Sequence, residues 1–215
     1  GAGVLADIKT ISALGGYGFA AITCLTIQNT RGVEAIKPIG VNFILKQIRT
    51  ILSDVEIDAI KIGIVPNKEV IVGIEGILKD LRETPIVLDP VFAASWNAFK
   101  FLDKNAISSM KDSLFPLAKV ITPNLEEAAL LMNGDLPTGI DGMVQLAKKF
   151  YSKFNMTEGQ SIYLKGGHLK SEISADVVYD GVKTKKFTIS KINTKNTHGT
   201  GCTLSTAIAT FISKS

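Results

Sequence analysis

Residues 59–91 read AIKIGIVPNKEVIVGIEGILKDLRETPIVLDPV. The stretch opens on one short apolar run, residues 59–65, and closes on another, residues 86–91. Neither shows the polar alternation of a half-exposed strand, so both suit parallel strands covered on both faces. Between them Val70, Ile71, Ile74, Ile77, Leu78 and Leu81 recur at helical spacing. That period predicts an amphipathic helix with one buried face. Strand, helix, strand in this order predicts a right-handed βαβ unit.

The alternation continues outward in both directions. Val41, Ile44, Leu45, Ile48, Ile51 and Leu52 form a helical stripe upstream, and Met143, Leu146, Ala147, Phe150 and Phe154 another downstream. An earlier stripe, Leu5, Ile8, Ile11 and Leu14, stops at Gly15-Gly16, where glycine suits a helix C-cap. The apolar runs 19–27, 120–122 and 161–164 are read as further strands of the covered kind. Residues 175–179 and 185–189 flank Asp180-Gly181 and predict an antiparallel hairpin at a sheet edge. The last expected element is a helix over 203–213, with Leu204, Ile208, Phe211 and Ile212 inward. The fold class is α/β, a mostly parallel, doubly wound sheet with helices on both faces.

Composition bounds the function. A chain of 215 residues holds about one domain. With 46% hydrophobic and 20% charged residues it is neither disordered nor collagen-like. Two cysteines exclude a disulfide scaffold and fit a reducing compartment. The net charge of +4 suits an anionic small molecule, but no Lys/Arg cluster marks a nucleic-acid partner. The longest nearly apolar stretch, residues 19–27, is too short to span a bilayer, and no basic-then-apolar leader opens the chain. A cytoplasmic protein without a membrane partner is expected. Both ends read as cut: Gly1-Ala2-Gly3 suits a loop leading into a helix, and no capping signal follows Phe211. The expectation is therefore one domain over residues 1–215, truncated at both ends.

Open α/β sheets bind ligands beyond the carboxyl ends of their strands, so the residues after each apolar run are the candidates. Asn196-Thr197-His198-Gly199-Thr200-Gly201-Cys202 precedes the last helix. Its glycines admit close backbone approach, and N–H groups at a helix start cradle an anion. Cys202 would sit at the positive end of that helix, where a thiol pKa falls. The competing reading is a glycine-rich loop with a buried cysteine. Asn124 and Glu127 follow Thr122-Pro123 and suit either a capping box or a metal-phosphate role. Asp89 ends the run 86–88 and is either a Mg²⁺ ligand or a turn aspartate before Pro90. Lys165, before Gly166-Gly167-His168, either reaches phosphate oxygens or sits on a surface turn. Gln28 has donors and an acceptor for a heterocycle edge, while a loop glutamine is commonly just solvated. Asp7 lies in a first helical turn, where its charge favours the dipole. His168 and His198 lack partners at ligand spacing, so no zinc site is expected.

Taken in order, these segments form one pattern. It comprises Gly1-Ala2-Gly3, Ala6-Asp7-Ile8-Lys9-Thr10, Gln28-Asn29-Thr30, Lys61-Ile62-Gly63 and Leu88-Asp89-Pro90-Val91, then Thr122-Pro123-Asn124-Leu125-Glu126-Glu127-Ala128, Lys165-Gly166-Gly167-His168 and Lys195-Asn196-Thr197-His198-Gly199-Thr200-Gly201-Cys202. The pattern resembles the hydroxymethylpyrimidine/hydroxymethylpyrimidine-phosphate kinases, the thiamin-biosynthetic branch of the ribokinase superfamily, along the whole chain. The resemblance implies a three-layer α/β fold and ATP- and Mg²⁺-dependent phosphorylation of 4-amino-5-hydroxymethyl-2-methylpyrimidine, then of its monophosphate. It implies Gly199, Thr200 and Gly201 as an anion hole and Cys202 as the base, where the wider superfamily carries aspartate. It implies Glu127 and Asp89 as metal-shell acids, and Asn124, Lys165 and Thr197 on the nucleotide side. Gln28, Asp7 and Gly3 are implied as pyrimidine contacts. Homodimers are common in the superfamily. Ile64 stands where a methionine is common, which reshapes one pocket wall.

Three rivals remain at this stage. A pyridoxal kinase of the same branch also carries the cysteine; Gln28 favours the pyrimidine, because a site built around a ring amine needs its partners. A non-catalytic pyrimidine- or nucleotide-binding domain would have no use for the set Cys202, Glu127, Asp89 and Lys165. A cysteine-dependent acyl or redox enzyme has only His198 near Cys202 and leaves Glu127 and Asp89 without a task.

Overall fold

The structure, a computed structural model, describes residues 1–29, 32–92, 104–167, 169, 172–194 and 196–214. Thr30, His168 and Lys195, all quoted above, lie outside the described residues. In chain order the elements begin α1 (Val4–Ala13), β1 (Cys24–Asn29), β2 (Gly32–Pro38), α2 (Val41–Leu52), β3 (Ile60–Ile62), α3 (Lys68–Leu78), β4 (Ile86–Leu88) and α4 (Lys104–Ser113). A 3₁₀ turn, Phe115–Leu117, leads to β5 (Val120–Ile121), α5 (Leu125–Met132), α6 (Gly139–Lys153), β6 (Ser161–Lys165), β7 (Ile173–Tyr179), β8 (Thr184–Ser190) and α7 (Thr200–Ile212). They fall into two compact units, Gly1–Leu117 with His198–Ser215, and Ala118–Thr197. Among the described residues no helix is long and apolar enough to cross a membrane.

The first unit contains the expected βαβ. β3 and β4 are parallel neighbours, Ile60 opposite Ile86 and Ile62 opposite Leu88. α3 crosses between them, started by the Asn67 side chain, which accepts from the Val70 N–H at 3.0 Å. Val70, Ile71, Ile74, Ile77 and Leu78 are buried, the face the spacing predicted. Each such aliphatic side chain stabilises the fold by about 1.5–3 kcal/mol through area removed from water.

The run 19–27 departs from expectation. Residues 19–23 are irregular, and β1 begins only at Cys24. It pairs antiparallel with β2 in a separate two-stranded sheet, with a register shift at Ile27/Gln28. Leu25 and Ile27 are 57% and 61% exposed, so this is no strand covered on both faces. Apolar content alone carried that reading. Upstream, the Gln47 carboxamide accepts from the Ile22 N–H and donates to the Ile22 carbonyl, satisfying backbone that no ladder reaches.

α7 also departs. It begins at Thr200, a turn earlier than expected, and its buried residues are Ser205, Thr206, Ala209 and Thr210. Phe211, expected inward, is 61% exposed. α7 packs against α1, β3 and β4. Small side chains permit that approach, and their hydroxyls bond carboxylates or the helix's own carbonyls. Apolarity was the wrong guide to which face turns inward.

In the second unit β5 and β6 are parallel, joined through α5 and α6. α6 buries Met143, Ala147 and Phe150, as its stripe predicts. The hairpin is as read: β7 and β8 are antiparallel, closing at Tyr179 opposite Thr184. Asp180 Oδ1 accepts the N–H groups of Val182 (2.9 Å) and Lys183 (2.6 Å), fixing the turn.

Candidate active site

Four distant segments of the first unit meet around the start of α7. Gly199, its N-cap, has φ 88°, a left-handed backbone that favours glycine. A Cβ there would also lie 3.1 Å from the Gly1 carbonyl oxygen and 3.4 Å from the Ala2 Cα. The glycine is thus required twice, by backbone angle and by close approach of the N-terminal residues. No side chain caps the helix. The N–H groups of its first turn have no carbonyl of their own helix to meet, which is the condition for an anion cradle. Thr200, Gly201 and Cys202 belong to that first turn rather than to a preceding loop.

Cys202 is partly buried. Burial raises the thiol pKa above its ordinary value. The positive charge of Lys61 and the Gly3 N–H oppose that rise, and the charges of Asp89 and Asp7 add to it. The net direction is upward, which corrects the expectation that a helix start lowers this pKa. Desolvation of the thiolate outweighs the cations and dipoles around it.

Asp89 follows β4 directly and is 1% exposed. Its Oδ2 accepts from Ser205 Oγ at 3.1 Å, and its backbone N–H donates to the Ile62 carbonyl at 2.8 Å. The carboxylate is thereby tied to α7 and the backbone to β3. Asp7, in the first turn of α1, accepts from Lys61 Nζ at 3.1 Å on both oxygens. Thr206 Oγ1 donates to the same carboxylate at 2.7 Å.

The second unit carries a separate group of candidates. Asn124 caps α5: its Oδ1 accepts from the Glu127 N–H at 2.7 Å, and Glu127 Oε2 accepts from the Asn124 N–H at 2.8 Å. This reciprocal pair is a capping box, so the structural reading of Glu127 holds whatever else its buried carboxylate does. Lys165 ends β6; its N–H donates to the Pro123 carbonyl at 2.9 Å, beside a bridge to Asn124. The next residue, Gly166, has no room for a side chain, since a Cβ would lie 2.0 Å from the Ala175 carbonyl oxygen. Asp176 holds this turn, accepting from the Gly166 N–H at 2.9 Å and the Tyr163 hydroxyl at 3.1 Å. Burial and the Asp176 charge push the Tyr163 phenol well up. Thr197 is exposed and lies in no regular element.

The family profile described as Phosphomethylpyrimidine kinase matches residues 1–215. The chain belongs to that family. It is 38% identical over 214 residues to the hydroxymethylpyrimidine/phosphomethylpyrimidine kinase of Rhizobium meliloti, covering 100% of this chain and 78% of that protein. It is also 38% identical to the thiamine biosynthesis bifunctional protein ThiED of Geobacter sulfurreducens, of which it spans only 42%. Among solved structures it resembles an ADP complex of Bacillus subtilis pyridoxal kinase, with TM-score 0.87 and 32% identity over 100% of this chain and 79% of that one. It resembles the phosphomethylpyrimidine kinase of Clostridium difficile 630 with TM-score 0.81 and 33% identity over 100% and 85%. The α/β, ribokinase-like fold read from the sequence stands.

Within this family's chain, Gly3, Asp7, Asp89, Gly199, Thr200, Gly201 and Cys202 fall in one unit, and Asn124, Glu127, Lys165 and Thr197 in the other. Gln28 lies in β1, exposed, its amide donating to Thr26 Oγ1. Sequence reasoning missed Lys61, Ser205, Thr206 and Asp176. A signal was present for Lys61, because a lysine inside an apolar strand run requires a partner. The hydroxyls of Ser205 and Thr206 carry none, since serine and threonine are unremarkable on a helix until its packing is known.

Proposed function

We propose that the chain is a kinase that transfers the γ-phosphoryl group of ATP to the hydroxymethyl oxygen of 4-amino-5-hydroxymethyl-2-methylpyrimidine and then to its monophosphate. The match of one family profile to residues 1–215 supports a single kinase domain. The observation that carries the chemistry is the head of α7, where Cys202 stands in an uncapped first turn and Ser205 and Thr206, one turn on, bond Asp89 and Asp7. Phosphoryl transfer asks a protein mainly for positioning and for neutralisation of charge. In this reading the alcohol oxygen attacks the γ-phosphorus as the bond to the β-bridging oxygen breaks, and Cys202 Sγ takes the alcohol proton. The first-turn N–H groups of α7 stabilise charge on the transferring oxygens. Gln28, Asp7 and Gly3 recognise the pyrimidine; Asn124, Lys165 and Thr197 serve the nucleotide.

Asp89 and Glu127 offer hard carboxylate oxygens of the kind Mg²⁺ prefers. Among the described residues no three His, Cys, Asp or Glu side chains cluster as a cage. Mg²⁺ in nucleotide-dependent enzymes is generally held by substrate phosphates with one or two carboxylates. A Mg²⁺ held with these carboxylates would neutralise phosphate charge.

The raised Cys202 pKa bears on the rate, because little thiolate exists at neutral pH in the free protein. The base therefore becomes available as pH rises. The test is ADP release coupled to NADH oxidation, with the aminopyrimidine alcohol, its monophosphate or pyridoxal as acceptor, with and without Mg²⁺. Metal-dependent turnover of the pyrimidines is expected. Turnover of pyridoxal alone assigns the chain to the chemistry named for its Bacillus subtilis neighbour. ATP-independent binding without turnover of any acceptor overturns the kinase reading.

A further inference from the structure

A lysine in a three-residue strand between apolar neighbours needs a reason. The Lys61 side chain is 9% exposed and that of Asp7 20%. Gly63 leaves the ammonium its room, since a Cβ there would lie 3.0 Å from Nζ. Nζ bridges both Asp7 oxygens, and the buried Thr206 hydroxyl donates to Oδ1. Such a pair is a poor device for stability. Desolvation offsets much of the attraction, and apolar residues of similar volume often hold a fold as well or better. Its position is more informative. The carboxylate is fixed from two sides yet partly open, and a carboxylate has about four acceptor sites against the three contacts made here. Thr206 lies four residues after Cys202 on α7, one turn along the same helix face, so it holds the carboxylate on the side of the proposed base.

We propose that Lys61 is a positioning residue of the acceptor site: with Thr206 it clamps the Asp7 carboxylate so that its remaining acceptor capacity meets an N–H donor on a heteroaromatic alcohol. The inference rests on the reading of Asp7 as a substrate contact. Lys61 itself touches no substrate; it acts through Asp7. An unclamped carboxylate rotates toward water and loses its charge-assisted bond to the ring donor.

The test is a double-mutant cycle on the full chain, using Lys61→Met, Asp7→Asn and the pair, with thermal melting recorded for each. In the wild-type background Lys61→Met should raise KM for the aminopyrimidine alcohol about 10- to 100-fold, the range for a charged hydrogen bond. KM for ATP should stay within about twofold. In the Asp7→Asn background the same substitution should add less than about twofold, because the group it acts through has already lost its charge. Equal effects in both backgrounds, or an unchanged KM for the alcohol, overturn the clamp. Should Lys61→Met not fold, Lys61→Leu, which also removes every donor to Asp7, replaces it with the same criteria. If only pyridoxal is turned over, the substrate reading fails but the cycle runs on pyridoxal and still decides the clamp. If nothing is turned over, calorimetric Kd for the aminopyrimidine alcohol replaces KM, and absence of binding overturns both.

Discussion

The head of α7 and the turn around Lys165 are built by opposite means. At the head of α7, residues far apart in sequence are tied by long-range bonds: Asp7 to Lys61 and Thr206, and Asp89 to Ser205. Around Lys165 the bonds are mostly short in sequence: Asn124 with Glu127, and Asp176 with Gly166 and Tyr163. The first arrangement fixes two carboxylates on the helix that carries a partly buried thiol, and it serves the chemistry proposed above. The second completes a helix start and a turn, and any ligand role is added to a structural one. Local bonds already have a purpose in capping and turning the backbone, so a polar residue bonded across the chain asks for another reason.

Four experiments break or sharpen this contrast. Cys202→Ala should lower kcat about 10²- to 10⁴-fold, the usual worth of a general base, while the melting temperature changes little. A near-normal rate would reduce the head of α7 to a structural feature. Gly166→Ala should destabilise the second unit by about 3 kcal/mol in denaturant unfolding, because its Cβ meets the Ala175 carbonyl at 2.0 Å. A mild effect there would show that the turn yields and is not held as tightly as its bonds suggest.

The pH dependence comes next. The Cys202 pKa is raised in the folded protein, so kcat/KM should climb about tenfold per pH unit from neutrality toward the folded value. The climb should vanish in Cys202→Ala. Stability runs the other way. Cys24 is raised as well, by burial, so the folded state binds these protons more tightly than the unfolded chain. Their contribution is complete below the ordinary thiol value of 9.0 and is lost as pH rises through the folded values. Urea unfolding between neutral and alkaline pH reads that loss.

The smallest effect separates the two uses of Glu127. Glu127→Ala removes half of the capping box and should destabilise α5 by about 1 kcal/mol. Glu127→Gln keeps an oxygen for the Asn124 N–H but not the charge. If it melts like the wild type yet needs more Mg²⁺ for half-maximal rate, the carboxylate has a second role. If both melting and Mg²⁺ dependence match the wild type, Glu127 is a cap alone.

The sequence by itself determined the helices α2, α3 and α6, the parallel βαβ and the β7–β8 hairpin, because period and turn chemistry are local properties of the chain. It also offered Asn124 and Glu127 as a capping pair, one of two readings, since their partners lie three residues apart. Only the tertiary structure decided which face of α7 turns inward, that β1 joins an exposed two-stranded sheet, and that Lys61 and Thr206 converge on Asp7. Those outcomes depend on what each surface meets. A hydroxyl face packs inward when carboxylates wait for it, and a thiol at a helix start titrates high when burial costs the thiolate more than nearby charges return.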